Sequence, residues 1–218
     1  MKISILCSSI DHPVFPWVTA WQQAKENIHA IELVTSTQEL TGGDILFLIS
    51  SHEIVTKKVL KQYAASLVIH ASDLPEGRGW SPHIWQIIEG RRNITVSILE
   101  AEEKFDTGAI WQKKSFHLEG HELFDEINEQ LFKIELDLMD FAIENIGKLA
   151  PIPQKKYSQT YYRKRTLNDS RIDPEKSIVE QFGLLRVADP TRFPAFMDYC
   201  GFRYRIKLEK VGPLKEND

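Results

Sequence analysis

Short apolar runs alternate with longer, periodically apolar segments through the first two thirds of the chain. Runs rich in Ile, Val, Leu and Phe are typical of strands that are covered on both faces, and the segments between them are typical of crossover helices. The pattern therefore predicts an open, mostly parallel α/β sheet with helices on both faces. The predicted strands are residues 2–7, 29–34, 44–49 and 67–70, followed by a later pair at 94–100 and 109–113.

Four segments have helical composition or spacing. They are residues 16–27, 56–65, 81–89 and 122–145. Pro82 fits the start of the third helix, because its missing N–H would have no partner there. The fourth segment has apolar residues at spacings of three and four, so this stripe is expected to pack on the sheet.

The pattern changes near residue 150. Residues 157–165 are polar, aromatic and basic, and residues 193–207 resemble a turn followed by strand-like alternation. The sequence thus predicts a domain of residues 1–150 and a short α+β appendage of residues 151–218 that packs on it. The hydrophobic segment 193–206 leaves two alternatives open, a hairpin that pairs two subunits of a homodimer or a completion of the subunit's own sheet.

Composition excludes several classes of function. The chain has 218 residues, of which 42% are apolar, and a formal net charge of −4, so it has no global electrostatic reason to bind nucleic acid. Cys7 and Cys200 are too few for a disulfide framework and have no metal-ligand spacing. Apolar runs are too short for a secretory signal or a membrane span. We expect a cytoplasmic protein with no membrane partner and no metal.

One segment carries candidate chemistry. His70 ends a predicted strand, where ligands of open α/β sheets bind, and it precedes a turn that contains Gly77 and Gly79. Asp106 precedes a Thr-Gly turn and could fold back onto His70. The spacing alone leaves the alternative open that His70 is structural and that Asp106 bonds to local amides.

The same segment contains a longer motif. Its residues are His70, Ser72, Leu74, Pro75, Arg78 and Gly79, then Ile87, Gly90, Thr95 and Val96, and finally Asp106, Thr107, Gly108 and Ile110. In this order and at these separations, the motif resembles the signature of the folate-dependent formyltransferases, over roughly residues 40 to 115. That family includes methionyl-tRNA, glycinamide ribonucleotide and sugar N-formyltransferases. The amino-acid sequence from His70 to Pro82 is most similar to that of small sugar N-formyltransferases of pseudaminic-acid-type pathways.

This resemblance implies a Rossmann-like formyltransferase sheet and a reaction. The formyl donor would be 10-formyltetrahydrofolate, and the acceptor would be the amine of a nucleotide-linked amino sugar. The C-terminal segments also resemble those of sugar formyltransferases. His70 would direct a positively charged N–H toward the developing oxyanion or move the proton of the amine, and Asp106 would hold its tautomer and stabilise the imidazolium.

The sequence departs from the family at one position. The family pattern is Asn-x-His, and Val68 stands in place of the Asn, whose amide would polarise the formyl carbonyl. Valine cannot donate a hydrogen bond. Ser72, Ser81 and His83 are the nearby candidate donors.

The resemblance also implies binding residues. For the cofactor these are Ser50, Ser51, His52, Glu53 and Ile54, with Arg78, Gly79, Glu102, Glu103 and Lys104. For the acceptor they are Trp80, Tyr161, Tyr162, Arg163 and Arg165. A solvated charged turn at 102–104 and an edge strand with exposed charges at 161–165 are the alternatives. The other histidines, His12, His29, His117 and His121, are expected to be structural or surface residues.

Three competing functions remain open. A methionyl-tRNA formyltransferase is expected to carry a further basic C-terminal domain, for which this chain is too short. A glycinamide ribonucleotide formyltransferase is near this length. A non-catalytic folate-binding relative would explain Val68, although intact His70 and Asp106 argue against it.

Overall fold

A computed structural model describes residues 1–155 and 158–214 of the protein. The strands are β1 (Lys2–Leu6), β2 (Ala30–Val34), β3 (Gly43–Leu48), β4 (Tyr63–His70), β5 (Arg78–Gly79), β6 (Asn93–Glu100), β7 (Ile110–His117), β8 (Tyr161–Tyr162), β9 (Ala195–Tyr199) and β10 (Phe202–Ile206). The helices are α1 (Phe15–Lys25), α2 (Lys57–Leu60), α3 (Pro82–Ile88), α4 (Phe124–Asn145) and α5 (Phe182–Arg186), with 3-10 turns at Thr37–Glu39 and Leu167–Ser170.

The main sheet has six strands in the order β2-β1-β3-β4-β6-β7. The first four are parallel to one another, whereas β6 and β7 run antiparallel. The predicted open, mostly parallel α/β sheet with a later pair of strands is confirmed, as is the α+β character of the C-terminal segment.

Both faces of the sheet are covered. Side chains point alternately to the two faces along each strand, and residues of both sets are buried. Ile45 and Phe47 face the cluster that contains α1 and α4, whereas Leu46 and Leu48 face the cluster that contains α2. The apolar stripe of α4 includes Leu138, which is fully buried. Truncating such a leucine to alanine costs about 2–5 kcal/mol.

The predicted helix at 56–65 is wrong over most of its length. Only Lys57–Leu60 is helical, and β4 already begins at Tyr63. Alanine-rich composition favours a helix, but Ala65 pairs with Ile45 of β3, and the Tyr63 hydroxyl donates to Ser4 Oγ at 2.8 Å. Tertiary pairing and burial therefore outweigh the local propensity.

The C-terminal segment lies against the preceding domain. Ile152 forms a bridge with Ile110 at the edge of β7, and β8 pairs with β5. Arg186 and Glu122 form a buried ion pair at 2.9 Å, and Arg186 Nε donates to the Glu122 carbonyl at 2.8 Å.

Strands β9 and β10 form an antiparallel hairpin. Within the described residues this hairpin pairs with no strand of the main sheet, so the alternative that residues 193–206 complete that sheet is wrong. The homodimer stays a prediction. Tyr157, which begins the basic segment 157–165, lies outside the described residues, as do residues 156 and 215–218.

Across residues 1–155 and 158–214, no helix combines the length and apolarity that crossing a membrane requires. The same residues contain no group of His, Cys, Asp and Glu side chains arranged to hold a metal ion.

Candidate active site

His70 lies at the carboxyl end of β4, where the parallel half of the sheet meets the antiparallel pair. Its side chain is almost fully buried. The chain bends immediately afterwards, since the Ser72 N–H donates to the His70 carbonyl at 2.9 Å. Ser97 of β6 holds the bend by donating to the Ser72 carbonyl at 2.7 Å. A rigid strand end therefore presents His70 at the edge where open sheets bind ligands.

Asp106 meets His70, as the motif suggested. Its Oδ1 lies 3.4 Å from His70 Nδ1, and both side chains are only 9% exposed. The second oxygen, Oδ2, accepts a hydrogen bond from the Gly79 N–H at 2.9 Å. Asp106 adopts a left-handed backbone conformation (φ 56°), which asparagine and aspartate tolerate better than most residues. The carboxylate is thus held in place from two sides.

The opposite nitrogen of the ring also has a partner. His70 Nε2 lies 2.9 Å from the Gly77 carbonyl oxygen. Both ring nitrogens therefore face oxygen acceptors, and only an imidazolium carries an N–H on each side. This arrangement suits a group that gains and returns a proton.

Two glycines make the close approach possible. A Cβ on Gly108 would lie 1.9 Å from the Glu100 carbonyl oxygen, and a Cβ on Gly79, whose φ is 96°, would lie 2.3 Å from the Tyr162 carbonyl oxygen. Side chains at these positions would push the Asp106 turn and β5 away from their neighbours.

The C-terminal segment supports the loop that faces His70. The N–H groups of Arg78 and Trp80 donate to the carbonyls of Thr160 and Tyr162, each at 3.0 Å. The Gly77 N–H donates to Thr160 Oγ1 at 2.7 Å. These contacts join positions more than 80 residues apart in the chain.

Gln154 is a positioning residue that sequence reasoning missed. Its Nε2 donates to the carbonyls of Asp106 and Gly108, both at 2.9 Å, and its Oε1 accepts from Arg78 Nη2 at 2.7 Å. Arg78 also donates to Gln159 Oε1 at 3.0 Å. The guanidinium of Arg78, which we expected to contact the cofactor, thus joins the C-terminal segment to the Asp106 turn. No short-range motif signals a contact of this kind.

The three candidate replacements for the family Asn differ in their surroundings. Val68 itself belongs to an apolar cluster. Ser72 Oγ and His83 Nδ1 are buried and have no hydrogen-bond partner among the described residues. Ser81 is exposed, in a left-handed conformation (φ 45°) directly before α3. Ser72 and His83 therefore present unused polar atoms close to His70 in the fold, whereas Ser81 faces solvent.

His12 influences His83 electrostatically, which the sequence did not indicate. Burial, together with charge repulsion from His12, His70, Arg165 and Arg192, lowers the pKa of His83 to about 3. Burial likewise lowers the pKa of His12 to about 4, again assisted by Arg192. We expected His12 to be a structural or surface residue, and it lies within electrostatic reach of the candidate site.

Hydrogen bonds to Ser8 and Thr37 hold the predicted cofactor loop at residues 50–54 in place. Ser51 Oγ accepts from Ser8 Oγ at 3.3 Å, and the His52 N–H donates to Ser8 Oγ at 3.2 Å. The Glu53 carboxylate accepts from the Thr37 N–H and hydroxyl at 2.9 and 2.8 Å, and these bonds lower the pKa of Glu53. Glu53 is therefore occupied by Thr37, and Ser50 is exposed with a left-handed backbone (φ 48°).

The second predicted cofactor loop, 102–104, is exposed. Glu103 pairs with Lys57 of α2 at 2.9 Å, whereas Glu102 and the Lys104 carbonyl both accept from Thr107 Oγ1. Ala101 directly before the loop belongs to the same apolar cluster as Val68 and Val55. The two predicted cofactor loops thus border one apolar cluster.

The predicted acceptor residues separate into two groups. Tyr161 is exposed, Tyr162 donates to Glu89 at 2.7 Å and stacks on Trp85, and Arg163 pairs with Asp169. Trp80 is 37% exposed beneath Lys164. Arg165 instead turns inward, where its Nη2 donates to Ser170 Oγ at 3.0 Å. Burial and the Glu89 carboxylate raise the pKa of Tyr162 to about 12.

A groove of about 500 Å³ lies beside this site. It is lined by residues 73–76, 110–113, 152–155 and Ser158. Neither His70 nor Asp106 lines it, so the contact between these two side chains, and not the groove, identifies the candidate active site.

Residues 8–143 match the model of the formyl transferase family. A methionyl-tRNA formyltransferase from Rickettsia africae is 35% identical over 172 residues, which are 78% of this chain and 54% of that protein. The chain spans about half the length of the curated relatives it matches.

Solved structures have the same fold. A methionyl-tRNA formyltransferase from Clostridium thermocellum superposes with a TM-score of 0.81 at 20% identity, over 97% of this chain and 94% of that chain. A sugar N-formyltransferase from Shewanella sp. superposes with a TM-score of 0.72 at 13% identity, over 97% and 99% of the two chains.

Proposed function

The chain belongs to the formyl transferase family, and we propose that it is a folate-dependent N-formyltransferase that transfers a formyl group from 10-formyltetrahydrofolate to the amine of a nucleotide-linked amino sugar. The observation that carries this proposal is the contact between His70 and Asp106 at the carboxyl edge of the sheet. The dyad is buried and held by the Gly77 and Gly79 backbone, as proton transfer in a reaction site requires.

Formyl transfer requires a proton acceptor and an oxyanion partner. The amine nitrogen attacks the formyl carbon, a C–N bond forms, the bond to the folate nitrogen breaks, and one proton moves from the amine to the leaving nitrogen. His70 Nε2 faces away from Asp106, so it is the nitrogen that can exchange its Gly77 partner for a reacting group. Asp106 stabilises the imidazolium that forms during this transfer.

The oxyanion needs a hydrogen-bond donor in place of the family Asn, because Val68 cannot donate a hydrogen bond. Loss of one such donor costs about 100- to 1000-fold in turnover. We assign the main interaction to the imidazolium N–H of His70, with the buried and unpartnered hydroxyl of Ser72 as a second donor.

The flat ring system of the co-substrate needs an apolar surface bordered by backbone polar groups. Ile54 and Phe105 are 70% and 58% exposed, next to the two predicted cofactor loops. The cluster of Val55, Val68 and Ala101 lies between these loops. Exposed apolar area of this kind supports a ring-binding role for both loops, with their backbone groups at the ring edge.

The acceptor is proposed from three observations. The sequence from His70 to Pro82 most resembles that of sugar enzymes, the net charge of −4 does not favour a nucleic-acid substrate, and a sugar N-formyltransferase has the same fold over 97% of this chain. The second candidate acceptor is an aminoacyl-tRNA, favoured by the 35% identity to methionyl-tRNA formyltransferases.

A formyl-transfer assay tests the function. The full chain is incubated with 10-formyltetrahydrofolate and a panel of nucleotide-linked 4-amino-4,6-dideoxysugars, glycinamide ribonucleotide and methionyl-tRNA. Release of tetrahydrofolate is followed by absorbance, and the formylated product by mass. We expect formylation of a sugar nucleotide. Formylation of tRNA or glycinamide ribonucleotide alone would overturn the sugar assignment, and folate binding without any transfer would indicate a non-catalytic relative.

His70→Ala tests the assigned residue in the same assay. We expect kcat/KM to fall by about 1000-fold or more, because proton transfer and oxyanion stabilisation are lost together. His117→Ala is the matched control, since His117 is a half-exposed histidine of the same sheet that bonds to Asn93. Equal activity of the two variants would contradict the role of His70.

A further inference from the structure

A single peptide group joins His70 to the C-terminal segment. Its carbonyl oxygen, that of Gly77, lies 2.9 Å from His70 Nε2, and its N–H, that of Arg78, donates to the Thr160 carbonyl at 3.0 Å. Because a peptide group is planar, holding its N–H also restricts the direction of its carbonyl. Thr160 therefore helps to decide where His70 Nε2 finds its partner.

Thr160 also holds the preceding peptide group. The Gly77 N–H donates to Thr160 Oγ1 at 2.7 Å. Thr160 itself is exposed, but Gly77 is buried, so its N–H has little access to water in place of this hydroxyl. Gly77 has a φ of 72° and no side chain. Hydrogen bonds of its two flanking peptide groups, and no packing of its own side chain, therefore keep it in position.

Tyr162 packs against the same glycine. A Cβ on Gly77 would lie 3.4 Å from Tyr162 Cε2, which is an ordinary van der Waals distance. The ring is itself held, since its hydroxyl donates to Glu89 at 2.7 Å and its plane lies within 8° of parallel to that of Trp85. Gly77, Thr160 and Tyr162 also line one cavity of about 10 Å³, which has room for no more than a water molecule. Tyr162 thus supports the loop, and its hydroxyl already has a partner.

The Gly77 contact is the shorter of the two that orient the His70 ring. Asp106 Oδ1 lies 3.4 Å from His70 Nδ1, near the outer limit for a hydrogen bond, whereas the Gly77 oxygen lies 2.9 Å from Nε2. The direction of the ring therefore depends strongly on Gly77 until a reacting group takes its place. Displacing a catalytic group by about 1 Å can cost about 100-fold in rate, so movement of Gly77 would affect proton transfer.

We propose that Thr160 and Tyr162 are positioning residues, which hold Gly77 and thereby keep the His70 ring oriented for proton transfer. This inference rests on the proposed formyl transfer and deepens it. The resemblance implied an acceptor contact for Tyr162 and no role for Thr160. Both residues lie beyond residues 8–143, which match the family, so the C-terminal segment takes part in the reaction site.

Thr160→Val tests the hydrogen bond in the formyl-transfer assay. Valine has nearly the shape of threonine but offers no acceptor to the Gly77 N–H. We expect kcat to fall about 10-fold and KM for the acceptor to stay within about twofold, because Thr160 acts through His70 and not on the substrate. Thr160→Ser keeps the hydroxyl and should restore kcat to within about threefold of wild type.

Tyr162→Leu distinguishes positioning from acceptor contact. We expect kcat to fall about 10-fold at nearly unchanged KM, whereas loss of an acceptor contact would raise KM and leave kcat unchanged. Thr41→Val is the matched control. Thr41 is an exposed threonine whose hydroxyl donates to Glu32 at 2.7 Å, beside the edge strand β2, and this variant should keep wild-type kcat. Thermal unfolding identifies any variant that fails to fold, and Thr160→Val against Thr160→Ser then decides.

Heteronuclear NMR of the histidine ring nitrogens in the full chain gives a readout that requires no turnover. The His70 resonances are those that disappear in His70→Ala. We expect the Nε2 resonance to shift in Thr160→Val and Tyr162→Leu, because its Gly77 partner moves, and to return in Thr160→Ser. A residue that only stabilises the fold would change the unfolding temperature without changing this resonance.

Wild-type kcat and an unchanged Nε2 resonance in folded Thr160→Val and Tyr162→Leu would overturn the positioning role, as would a raised acceptor KM at unchanged kcat in Tyr162→Leu. These results, with transfer by the wild type, would leave the proposed function standing. Shifted Nε2 resonances in both variants, without transfer to any amine by the wild type, would refute the function and leave the positioning of His70 standing.

Discussion

Buried polar groups have hydrogen-bond partners in one part of the molecule and lack them in another. At the strand end, His70 and Asp106 have partners on each side, supplied by one another and by the Gly77 and Gly79 backbone. By contrast, Arg165 Nε in the C-terminal segment and His83 Nδ1 in α3 are buried and have no hydrogen-bond partner among the described residues. Satisfied groups are held in a single geometry, whereas unsatisfied buried groups cost free energy until a ligand binds. The His70–Asp106 contact is therefore held rigidly, whereas the buried atoms of Arg165 and His83 lower the stability of the fold.

The largest expected effect comes from disrupting the contact between His70 and Asp106. Asp106→Asn keeps the shape but removes the negative charge opposite His70 Nδ1, so the imidazolium loses its stabilising partner. We expect kcat to fall by about 1000- to 10,000-fold with a small change in KM. Stopped-assay kinetics measure this. Asp137→Asn, which breaks an exposed ion pair with Lys114, is the control, and comparable kcat in the two variants would contradict the role of Asp106.

A glycine substitution tests how tightly the turn at Asp106 is held. Gly108→Ala places a Cβ against the Glu100 carbonyl, so the Asp106 turn must shift. We expect a loss of about 1–3 kcal/mol of stability together with reduced kcat. Denaturant unfolding measures the stability change. Gly183→Ala, in α5, meets its nearest atom at 3.4 Å and should be near neutral; equal losses in both would show that the close approach at Gly108 is unimportant.

A third buried group without a hydrogen-bond partner sharpens the comparison. Glu135 of α4 is buried, its Oε2 has no partner among the described residues, and burial raises its pKa to about 8. The folded pKa lies above the unfolded value of 4.5, so stability is greatest below pH 4.5 and falls as pH rises toward 8.

Glu135→Gln removes this titration. We expect the variant to be more stable than wild type by about 1–3 kcal/mol at pH 8, with the difference disappearing near pH 4.5. Thermal unfolding across pH 4.5–8.5 measures the difference, with Glu129→Gln on the exposed face of α4 as control. A difference that does not vary with pH would mean that Glu135 does not titrate as described.

The smallest expected effect concerns acid stability. Burial lowers the pKa of His83 to about 3 and that of His12 to about 4, below the unfolded value of 6.5. As pH falls below 6.5, the unfolded chain takes up protons that the folded chain does not, so stability decreases, by up to about 1.4 kcal/mol per pH unit for each group.

His83→Gln should therefore reduce the loss of stability between pH 6.5 and 4.5. Exposed His117→Gln is the control and should leave this slope unchanged. Identical slopes in wild type and His83→Gln would refute the account of His83.

Local patterns were sufficient for most elements. The six strands of the main sheet and the long helix α4 follow from runs and spacing of apolar residues, and the family motif around His70 suggested Asp106 as its partner, whereas the short strand β5 was not predicted. The segment at 56–65 could not be predicted from its composition, because the pairing of Ala65 with Ile45 depends on a strand that lies 20 residues away.

The sequence by itself determined the main sheet, because periodicity and strand ends are local properties of the chain. It also contained the family motif, and the resemblance of that motif, not local spacing, placed Asp106 beside His70. Only the tertiary structure decided that Gln154 holds the Asp106 turn, that Arg163 pairs outward with Asp169, and that Arg165 turns inward beside His83. The first of these contacts joins residues 48 positions apart, and Arg165 and His83 lie more than 80 positions apart. Side-chain direction at such distances depends on which surfaces pack together and which charges lose their water, and no local pattern encodes either.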